Sequence, residues 1–151
     1  MYGSIEAGGT KFVCAIGDEE MTIKERVSFP TTTPEETMAL VIDFFKKYED
    51  QLVGIGIGSF GPIDIHRDSA TYGYITSTPK LAWQNFDFVG TMKQAFPIPI
   101  AWTTDVNAAA YGEYVFGKGK GLSSVVYYTI GTGVGGGALQ DGRFVEGFSH
   151  P

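Results

Sequence analysis

The first thirty residues alternate short apolar runs with turn-forming residues, a pattern that predicts three β-strands. Tyr2–Ala7 and Lys11–Gly17 flank a turn at Gly8-Gly9-Thr10, and their nearly continuous apolar character indicates burial on both faces. Thr22–Phe29 is predicted as the third strand. Because the connections between these strands are too short for crossovers, we expect them to form an antiparallel meander.

Helices and strands alternate in the middle of the chain. Thr33 is a favoured N-cap residue, Pro34 suits the first helical position and Glu36 completes a capping box, so a helix is predicted to begin here. The elements predicted after this helix are a strand at Leu52–Gly58, a helix at Phe88–Phe96, a strand at Ile98–Thr103 and a helix at Val106–Phe116. Strands that alternate with helices pair in parallel, so the sequence predicts an α/β fold with a mixed sheet and helices on both faces.

After a glycine-rich hinge at Gly117–Gly121, the chain repeats its opening pattern of two strands around a glycine turn. The elements predicted here are strands at Ser124–Ile130 and Gly135–Gln140 and a hairpin turn at Asp141-Gly142 that leads into Arg143–Val145. We therefore expect one domain over residues 1–118 and the first hairpin of a second, truncated domain over residues 119–151.

The formal net charge of −6 argues against nucleic-acid binding, which needs a basic surface against the phosphates. Backbone N–H groups can still bind anionic ligands without any net positive charge. No apolar run approaches the roughly 20 residues that span a membrane, and no signal peptide is evident, so no membrane partner is expected. The lone cysteine, Cys14, lies in an apolar run, which predicts a buried thiol in a reducing, cytoplasmic compartment.

Two glycine-rich turns are the first candidates for chemistry. Gly8-Gly9-Thr10-Lys11 and Gly131-Thr132-Gly133 each lie between two predicted strands. Such a turn presents consecutive N–H groups to a phosphate, and its glycines have no Cβ to block the approach. Either turn alone is also consistent with a plain type I′ or II′ hairpin. Two such turns, each opening a three-strand unit, favour phosphate binding.

Two nucleotide-binding motifs are matched only formally. Gly131–Gly136 has the GxGxxG spacing, but strand-like residues follow it where the dinucleotide fingerprint requires a helix. Gly112–Lys118 has the GxxxxGK spacing, but Gly119 replaces the required Ser or Thr and the intervening residues end a helix. We therefore reject both a Rossmann site and a P-loop.

Asp105 is the strongest single catalytic candidate. It lies between a predicted parallel strand and a helix, where α/β folds bind ligands and where a carboxylate can accept a proton from a hydroxyl. A simple N-cap role is the alternative. Ser59–Asp64 follows another strand end, which suits a sugar pocket or a structural turn equally. Tyr72, Tyr74 and Trp83 lie among hydroxyl residues, which suits a sugar contact, an oligomer contact or packing of a surface loop.

Four segments together resemble the ROK family of sugar kinases and repressors. They are Ile5–Lys11, Gly61-Pro62, Thr104–Glu113 and Thr129–Gly137, and they occur in family order along the whole chain. The block Thr71–Lys80 is similar to bacterial ROK fructokinases in particular. The resemblance implies the actin/hexokinase-like fold, in which two ribonuclease-H-like domains flank a cleft.

The resemblance also implies an activity, the transfer of a phosphoryl group from ATP with Mg²⁺ to a sugar. It implies a role in that transfer for each of the following residues. The residues that would contact the phosphates are Gly8, Gly9, Thr10 and Lys11 in the first turn and Gly131, Thr132 and Gly133 in the second. The residues that would line the sugar pocket are Gly61, Pro62, Thr104 and Asn107. Asp105 would be the general base on the sugar hydroxyl, and Glu6 would contact Mg²⁺ through water. The mechanism would then rest on positioning and charge stabilisation.

Departures from the family pattern narrow the substrate. Glu6 stands where the family usually has Asp, a feature shared with fructokinase-like members, while Thr104 and Lys80 stand where many glucose-specific members have Asn. The residues at positions 104 and 80 argue against a tight glucose pocket and favour fructose, phosphorylated at O6. Another hexokinase of the family, acting on glucose, mannose or N-acetylmannosamine, is the alternative. A family repressor would carry a helix-turn-helix segment before the first glycine turn. Because that turn begins within ten residues of Met1, we expect a kinase and not a repressor. A sugar-binding module without catalysis is disfavoured by Asp105.

Family kinases are about twice as long as this chain. Its last residues stop before the family's sugar-binding Glu and its zinc site of one His and several Cys, so Zn²⁺ is expected only in the full-length protein. We expect the 151-residue piece alone neither to bind zinc at that site nor to turn over ATP. The full-length protein is expected to be a homodimer whose partners are a small-molecule sugar and a nucleotide.

Overall fold

The computed structural model describes residues 1–131 and 133–147. The opening elements are β1 (Tyr2–Ala7), β2 (Lys11–Gly17), β3 (Ile23–Pro30) and α1 (Pro34–Lys46). The middle elements are β4 (Gly54–Ser59), β5 (Tyr74–Ile75), β6 (Phe86–Asp87), α2 (Phe88–Ala95), β7 (Ile100–Thr104) and α3 (Asp105–Val115). The closing elements are β8 (Ser124–Ile130), β9 (Val134–Gln140) and β10 (Arg143–Phe144). Each predicted strand and helix is present, and the sequence pattern did not indicate the small β5–β6 pair or the short 3-10 helices at Glu49–Gln51 and Leu81–Trp83.

Five strands form the main sheet, in the order β3-β2-β1-β4-β7. β1, β2 and β3 pair antiparallel, while β1, β4 and β7 run parallel, so the predicted meander and the predicted parallel pairing are both confirmed. The parallel strands end level with one another, because Ala7 lies opposite Ser59 and Ser59 lies opposite Thr104. This register gives the sheet a straight carboxyl edge.

Helices cover both faces of the main sheet, as predicted. α1 packs so closely on one face that a Cβ at Gly3 would lie 2.7 Å from the ring of Phe45. α2 shares that buried core through Phe88. α3 packs on the opposite face, where a Cβ at Gly58 would lie 2.7 Å from the Cβ of Ala108. Glycines in β1 and β4 thus allow the close approach of a helix on each side.

The first two strands differ in burial. The expected two-faced burial is confirmed for β2, whose residues Phe12–Ile16 are all buried. It is wrong for β1, which alternates, with Tyr2, Ser4 and Glu6 exposed. Ser4 and Glu6 on this face line a cavity. Cys14 is fully buried among the core residues, and this burial raises the pKa of its thiol to about 12.

The start of α1 confirms the predicted roles of Thr33 and Pro34, while the reciprocal bond of Glu36 in the capping box stays a prediction. The hydroxyl of Thr33 accepts a hydrogen bond from the N–H of Glu36 at 3.3 Å, and Pro34 is the first helical residue. Among the described residues, no helix has the length and apolar character needed to cross a membrane.

β8, β9 and β10 form a second, three-stranded antiparallel sheet. The predicted hairpin between β9 and β10 is confirmed, since Asp141 and Gly142 have φ angles of 50° and 75°, as a type I′ turn requires. α3 packs against β8 and β9 as well as against β4 and β7, so this helix contacts both sheets. The domain boundary expected between residues 118 and 119 stays a prediction.

Candidate active site

The candidate site lies at the carboxyl edge of the main sheet. Glu6, Gly58 and Thr103 lie opposite one another in register, one residue before the parallel strands end, and Asp105 follows as the first residue of α3. All four residues line an open cavity of about 1200 Å³ on the face of the sheet that α3 partly covers. The structure therefore brings together the two carboxylates, Glu6 and Asp105, that the sequence singled out.

Asp105 is the first residue of α3 and not its N-cap. The hydroxyl of Thr104 accepts a hydrogen bond from the N–H of Asn107 at 3.2 Å and caps the helix, so the alternative N-cap interpretation of Asp105 is wrong. Asp105 Oδ1 accepts the adjacent N–H of Val106 at 2.9 Å. Its Oδ2 has no hydrogen-bond partner within residues 1–131 and 133–147, which leaves this oxygen available to a ligand.

The surroundings of Asp105 change its proton affinity. Burial raises the pKa of Asp105, hydrogen bonds from the backbone of Val106 and Asp105 lower it, and the negative charge of Glu6 raises it again. The net shift is upward from the ordinary value of an aspartate. A carboxylate with a raised pKa accepts a proton more readily, which is the property that a general base needs.

The first glycine turn, between β1 and β2, lies at the same edge. The N–H of Gly8 donates to the carbonyl of Lys11 at 3.0 Å. Thr31 supports the turn, because its hydroxyl donates to the carbonyl of Gly8 at 2.8 Å and its N–H donates to the carbonyl of Thr10 at 2.9 Å. The residues with positive φ do not include Gly8, Gly9 or Thr10, so the plain type I′ or II′ alternative is wrong for this turn.

Close approach explains the two glycines of the first turn. A Cβ at Gly8 would lie 2.7 Å from the carbonyl oxygen of Lys11, and a Cβ at Gly9 would lie 3.2 Å from the Cε of Lys80. The contact between Gly9 and Lys80 is the feature of the site that the sequence analysis missed. No periodicity or spacing relates two residues so far apart in the chain, and only the fold brings them together.

The second glycine turn connects β8 and β9. The N–H of Gly131 donates to the carbonyl of Gly133 at 2.9 Å, while Thr132 lies outside the described residues. A Cβ at Gly131 or Gly133 would meet no atom of the described residues within 4 Å, so none of them covers the backbone of these two glycines. β9 follows the turn directly, which confirms that the GxGxxG spacing here is not a Rossmann site.

The glycines of β9 bring this second turn towards Asp105. A Cβ at Gly137 would lie 2.6 Å from the carbonyl oxygen of Val106, and a Cβ at Gly135 would lie 3.1 Å from the Val106 side chain. Because a strand rises about 3.3 Å per residue, a turn only two residues before Gly135 opens close to the first turn of α3. Asp105 therefore shares the cavity with Glu6 of β1, and its neighbour Val106 packs against β9 shortly after the second glycine turn.

The predicted sugar-contacting turn, Gly61-Pro62, follows β4 at the carboxyl edge. Its peptide bond is cis, and both residues are half-exposed. The carbonyl of Pro62 accepts hydrogen bonds from the N–H of Thr76 at 2.8 Å and from its hydroxyl at 3.1 Å. These bonds tie the turn to the long segment between β4 and α2.

The other two predicted sugar residues lie in the junction between β7 and α3. Thr104 and Asn107 are each 8% exposed. Thr104 caps α3, and the side-chain amide of Asn107 donates to the hydroxyl of Thr103 at 3.3 Å. Contacts of these residues and of Gly61-Pro62 with a sugar stay predictions.

Trp83 lies in the hydrophobic core, which is none of the three positions that the sequence suggested for it. It is 1% exposed, its Nε1–H donates to the carbonyl of Thr32 at 2.8 Å, and its ring contacts those of Phe12 and Phe60. Assignments to a sugar contact, an oligomer contact or a surface loop are therefore wrong for this residue, because its ring fills the core. Tyr72, by contrast, lines the cavity.

The carboxylates of the site suit a magnesium ion that arrives with phosphates. No three His, Cys, Asp or Glu side chains form a group that could hold a metal ion in the part of the chain that the structure describes. Glu6 and Asp105 both line the cavity, and Glu6 is near enough to raise the pKa of Asp105. Mg²⁺ commonly uses one or two carboxylates and completes its shell with water and phosphate oxygens, so this donor set fits it.

Comparison with known proteins relates the chain to sugar kinases. A fructokinase from Streptococcus mutans is 59% identical over 150 residues, which are 99% of this chain and 50% of that protein. A fructokinase from Lactococcus lactis subsp. cremoris is 57% identical over 149 residues, which are again 99% of this chain and 50% of that protein. The chain thus spans about half the length of the curated relatives that it matches.

Solved structures show the same relationship at the level of the fold. A ROK family glucokinase from Streptomyces griseus, in complex with glucose and AMPPNP, has a TM-score of 0.82 and 28% identity, and the match covers 98% of this chain and 47% of that one. The predicted fold class, a mixed α/β sheet of the kind found in these kinases, is confirmed. The ROK family pattern itself matches residues 2–150, and the chain therefore belongs to the ROK family.

Proposed function

We propose that this chain supplies the sugar-side catalytic part of an ATP-dependent hexose kinase, and that fructose, phosphorylated at O6, is its acceptor. One observation carries the proposal. Asp105, a partly buried carboxylate with a raised pKa, lies at the same sheet edge as a braced glycine turn and a second carboxylate. Identities of 59% and 57% to two fructokinases, against 28% to a glucokinase, support fructose as the acceptor.

Asp105 would act on the sugar hydroxyl. Its Oδ2 would accept the proton of O6 while the oxygen attacks the terminal phosphorus of the nucleotide; the O6–P bond forms and the P–O bond to the leaving ADP breaks. The raised pKa of Asp105 favours this proton transfer. ATP would supply the phosphoryl group, and Mg²⁺ would offset the charge on its phosphates.

The glycine turns would position the phosphates. The backbone of the first turn, residues 8–11, would offer the N–H groups of Gly9 and Thr10, which have no acceptor among the described residues. The hydrogen bonds from Thr31 hold that backbone in place before the ligand arrives. Gly131, Thr132 and Gly133 would serve the same ligand from the second sheet. Glu6 would hold Mg²⁺ through water, and Gly61, Pro62, Thr104 and Asn107 would border the sugar.

The proposal extends to the protein that contains this chain. We infer that residues 1–118 form the first domain and that residues 119–151 begin the second, because β8–β10 form a sheet separate from the first. Zn²⁺ in the remaining half, a cytoplasmic location and a homodimer belong to the same proposal.

The acceptor is tested with the full-length protein and a panel of fructose, mannose and glucose. ADP release is coupled to a spectroscopic assay, and the sugar product is identified by NMR. We expect kcat/KM to be highest for fructose and the phosphate to be on O6. Phosphorylation of glucose in preference to fructose would refute the substrate, and no phosphorylation of any hexose would refute the function.

The base is tested with Asp105→Asn. We expect kcat to fall by roughly 10²–10⁴-fold while the affinity for the sugar stays largely intact, since only proton transfer is lost. Asp43→Asn makes the same chemical change on the exposed side of α1 and should leave kcat unchanged. Full activity of Asp105→Asn would exclude Asp105 as the base.

A further inference from the structure

Lys80 lies directly against the first glycine turn. The Cε of Lys80, which carries the ammonium group, is 3.2 Å from the point where a Cβ at Gly9 would be. A larger residue at position 9 would therefore displace the lysine, so glycine here gives room to Lys80 as well as to a ligand. The end of the Lys80 side chain therefore lies against Gly9 of the first glycine turn.

The segment that carries Lys80 is fixed by hydrogen bonds on both sides. The N–H of Lys80 donates to the hydroxyl of Thr78 at 3.3 Å, and Thr78 is 1% exposed. The side-chain amide of Gln84 donates to the carbonyl of Thr78 at 2.9 Å, and Trp83 is anchored to the carbonyl of Thr32. Because these bonds do not involve the Lys80 side chain, they place its Cα independently of its charge.

The charge of Lys80 is not used within the described structure. None of the ion pairs found among residues 1–131 and 133–147 includes Lys80, although the chain has a net charge of −6 and both Glu6 and Asp105 lie at the same sheet edge. The N–H groups of Gly9 and Thr10 have no acceptor among the described residues. A cationic side chain beside them forms a more complete anion site than either feature alone, because charge-assisted hydrogen bonds are about twice as strong as neutral ones.

We propose that Lys80 contacts the phosphoryl group that the first glycine turn receives. This inference rests on the proposed kinase function and adds to it a cationic residue from the segment between β5 and α2. Its ammonium would donate to the oxygens of the terminal phosphate of ATP and offset the negative charge that develops during transfer. The competing explanation is that the aliphatic part of Lys80 only covers Gly9.

The test removes the charge and keeps the aliphatic stem. In the full-length protein, Lys80→Met should lower kcat/KM for ATP by roughly 10–100-fold, the size expected for loss of a hydrogen bond to a charged group. Lys80→Arg should recover most of that activity. Lys93→Met is the control, because Lys93 is exposed near the end of α2, which leads to the opposite edge of the sheet. This variant makes the same change away from the site and should leave kcat/KM for ATP unchanged. Lys80→Gln gives a second uncharged variant if Lys80→Met does not fold.

Two further outcomes separate this proposal from the kinase function. Normal ATP kinetics in folded Lys80→Met, with an active wild-type protein, would overturn the role of Lys80 and leave the kinase function standing. A raised KM for the sugar alone would also overturn the phosphate contact. If the wild-type protein phosphorylates no hexose, calorimetry with Mg·AMPPNP still decides, because this ATP analogue keeps the terminal phosphate. Lys80→Met must then weaken the binding of AMPPNP at low salt more than Lys93→Met does, and equal affinities would refute the contact.

Discussion

The packing of β9 against the start of α3 predicts that alanine destabilises the protein at Gly137 but not at the neighbouring Gly136. A Cβ at Gly137 would lie 2.6 Å from the carbonyl oxygen of Val106, whereas ordinary van der Waals contact begins at 3.4 Å. A Cβ at Gly136 points to the other face and would lie 3.6 Å from the ring of Tyr128, which is an ordinary contact. Neither glycine has a positive φ, so only the surrounding space distinguishes them.

The cost of Gly137→Ala follows from what stands in its way. The obstructing atom belongs to the backbone in the first turn of α3, which Thr104 caps, so it cannot rotate aside as a side chain would. Overpacking of this kind costs about 1–3 kcal/mol of unfolding free energy. Relief by movement would shift strand and helix apart by about 1 Å, and a catalytic group misplaced by that distance can lose roughly 10²-fold in rate. Asp105, next to Val106, is the group that would move.

The assay compares three full-length proteins: wild type, Gly137→Ala and Gly136→Ala. Thermal unfolding followed by circular dichroism should give a lower midpoint for Gly137→Ala only, and kcat should fall only in that variant. Gly136→Ala should be neutral or more stable by a few tenths of a kcal/mol, because alanine reduces the entropy of the unfolded chain by about that much. Equal stability and equal kcat for the two variants would show that the contact between β9 and α3 does not position Asp105.

Two more predictions use the perturbed titrating groups. Asp105 must be deprotonated to act as a base, and its pKa is raised. As the pH is lowered, kcat/KM should therefore begin to fall at a pH higher than the value of about 4 expected for an ordinary aspartate. A pH–rate profile that falls only at or below about pH 4 would contradict the role of Asp105 as the base. Because burial raises the pKa of Cys14 to about 12, this thiol should not react with a thiol reagent at pH 8 in the folded protein and should react once urea unfolds it. Mass spectrometry of peptides containing Cys14 measures both states, and rapid labelling of the folded protein would show that the thiol is accessible.

The local elements of this fold could be read from the sequence because their determinants are local. Thr33 and Pro34 begin α1, and Asp141-Gly142 forms the β9–β10 turn, since each residue acts through its own backbone preference. The parallel order of β1, β4 and β7 follows from the alternation of strands and helices. The same alternation places Asp105 at the carboxyl edge, so the sequence could indicate its position without any coordinates.

What the sequence could not indicate depends on contacts between distant segments. The meeting of Lys80 with Gly9 requires the long segment after β4 to fold back over the first turn, and nothing in the spacing of residues requires it. The aromatic and hydroxyl residues around Trp83 in sequence suit a sugar contact, an oligomer contact or packing of a surface loop. The structure instead buries this side chain to 1% exposure in the core, where its ring contacts that of Phe12.

The position of Asp105 has a consequence for how the two sheets can act together. α3 is in contact with the main sheet through Ala108 and Gly58, and with the second sheet through Val106 and Gly137. Any movement of the second sheet towards the first must therefore be carried by the first turns of this helix, which also hold the carboxylate. If Asp105 is the proposed base, a movement of β9 that shifts the start of α3 would also change the distance between this carboxylate and the first glycine turn. The contact between Gly137 and Val106 is therefore the place in the fold where the two sheets could affect proton acceptance together.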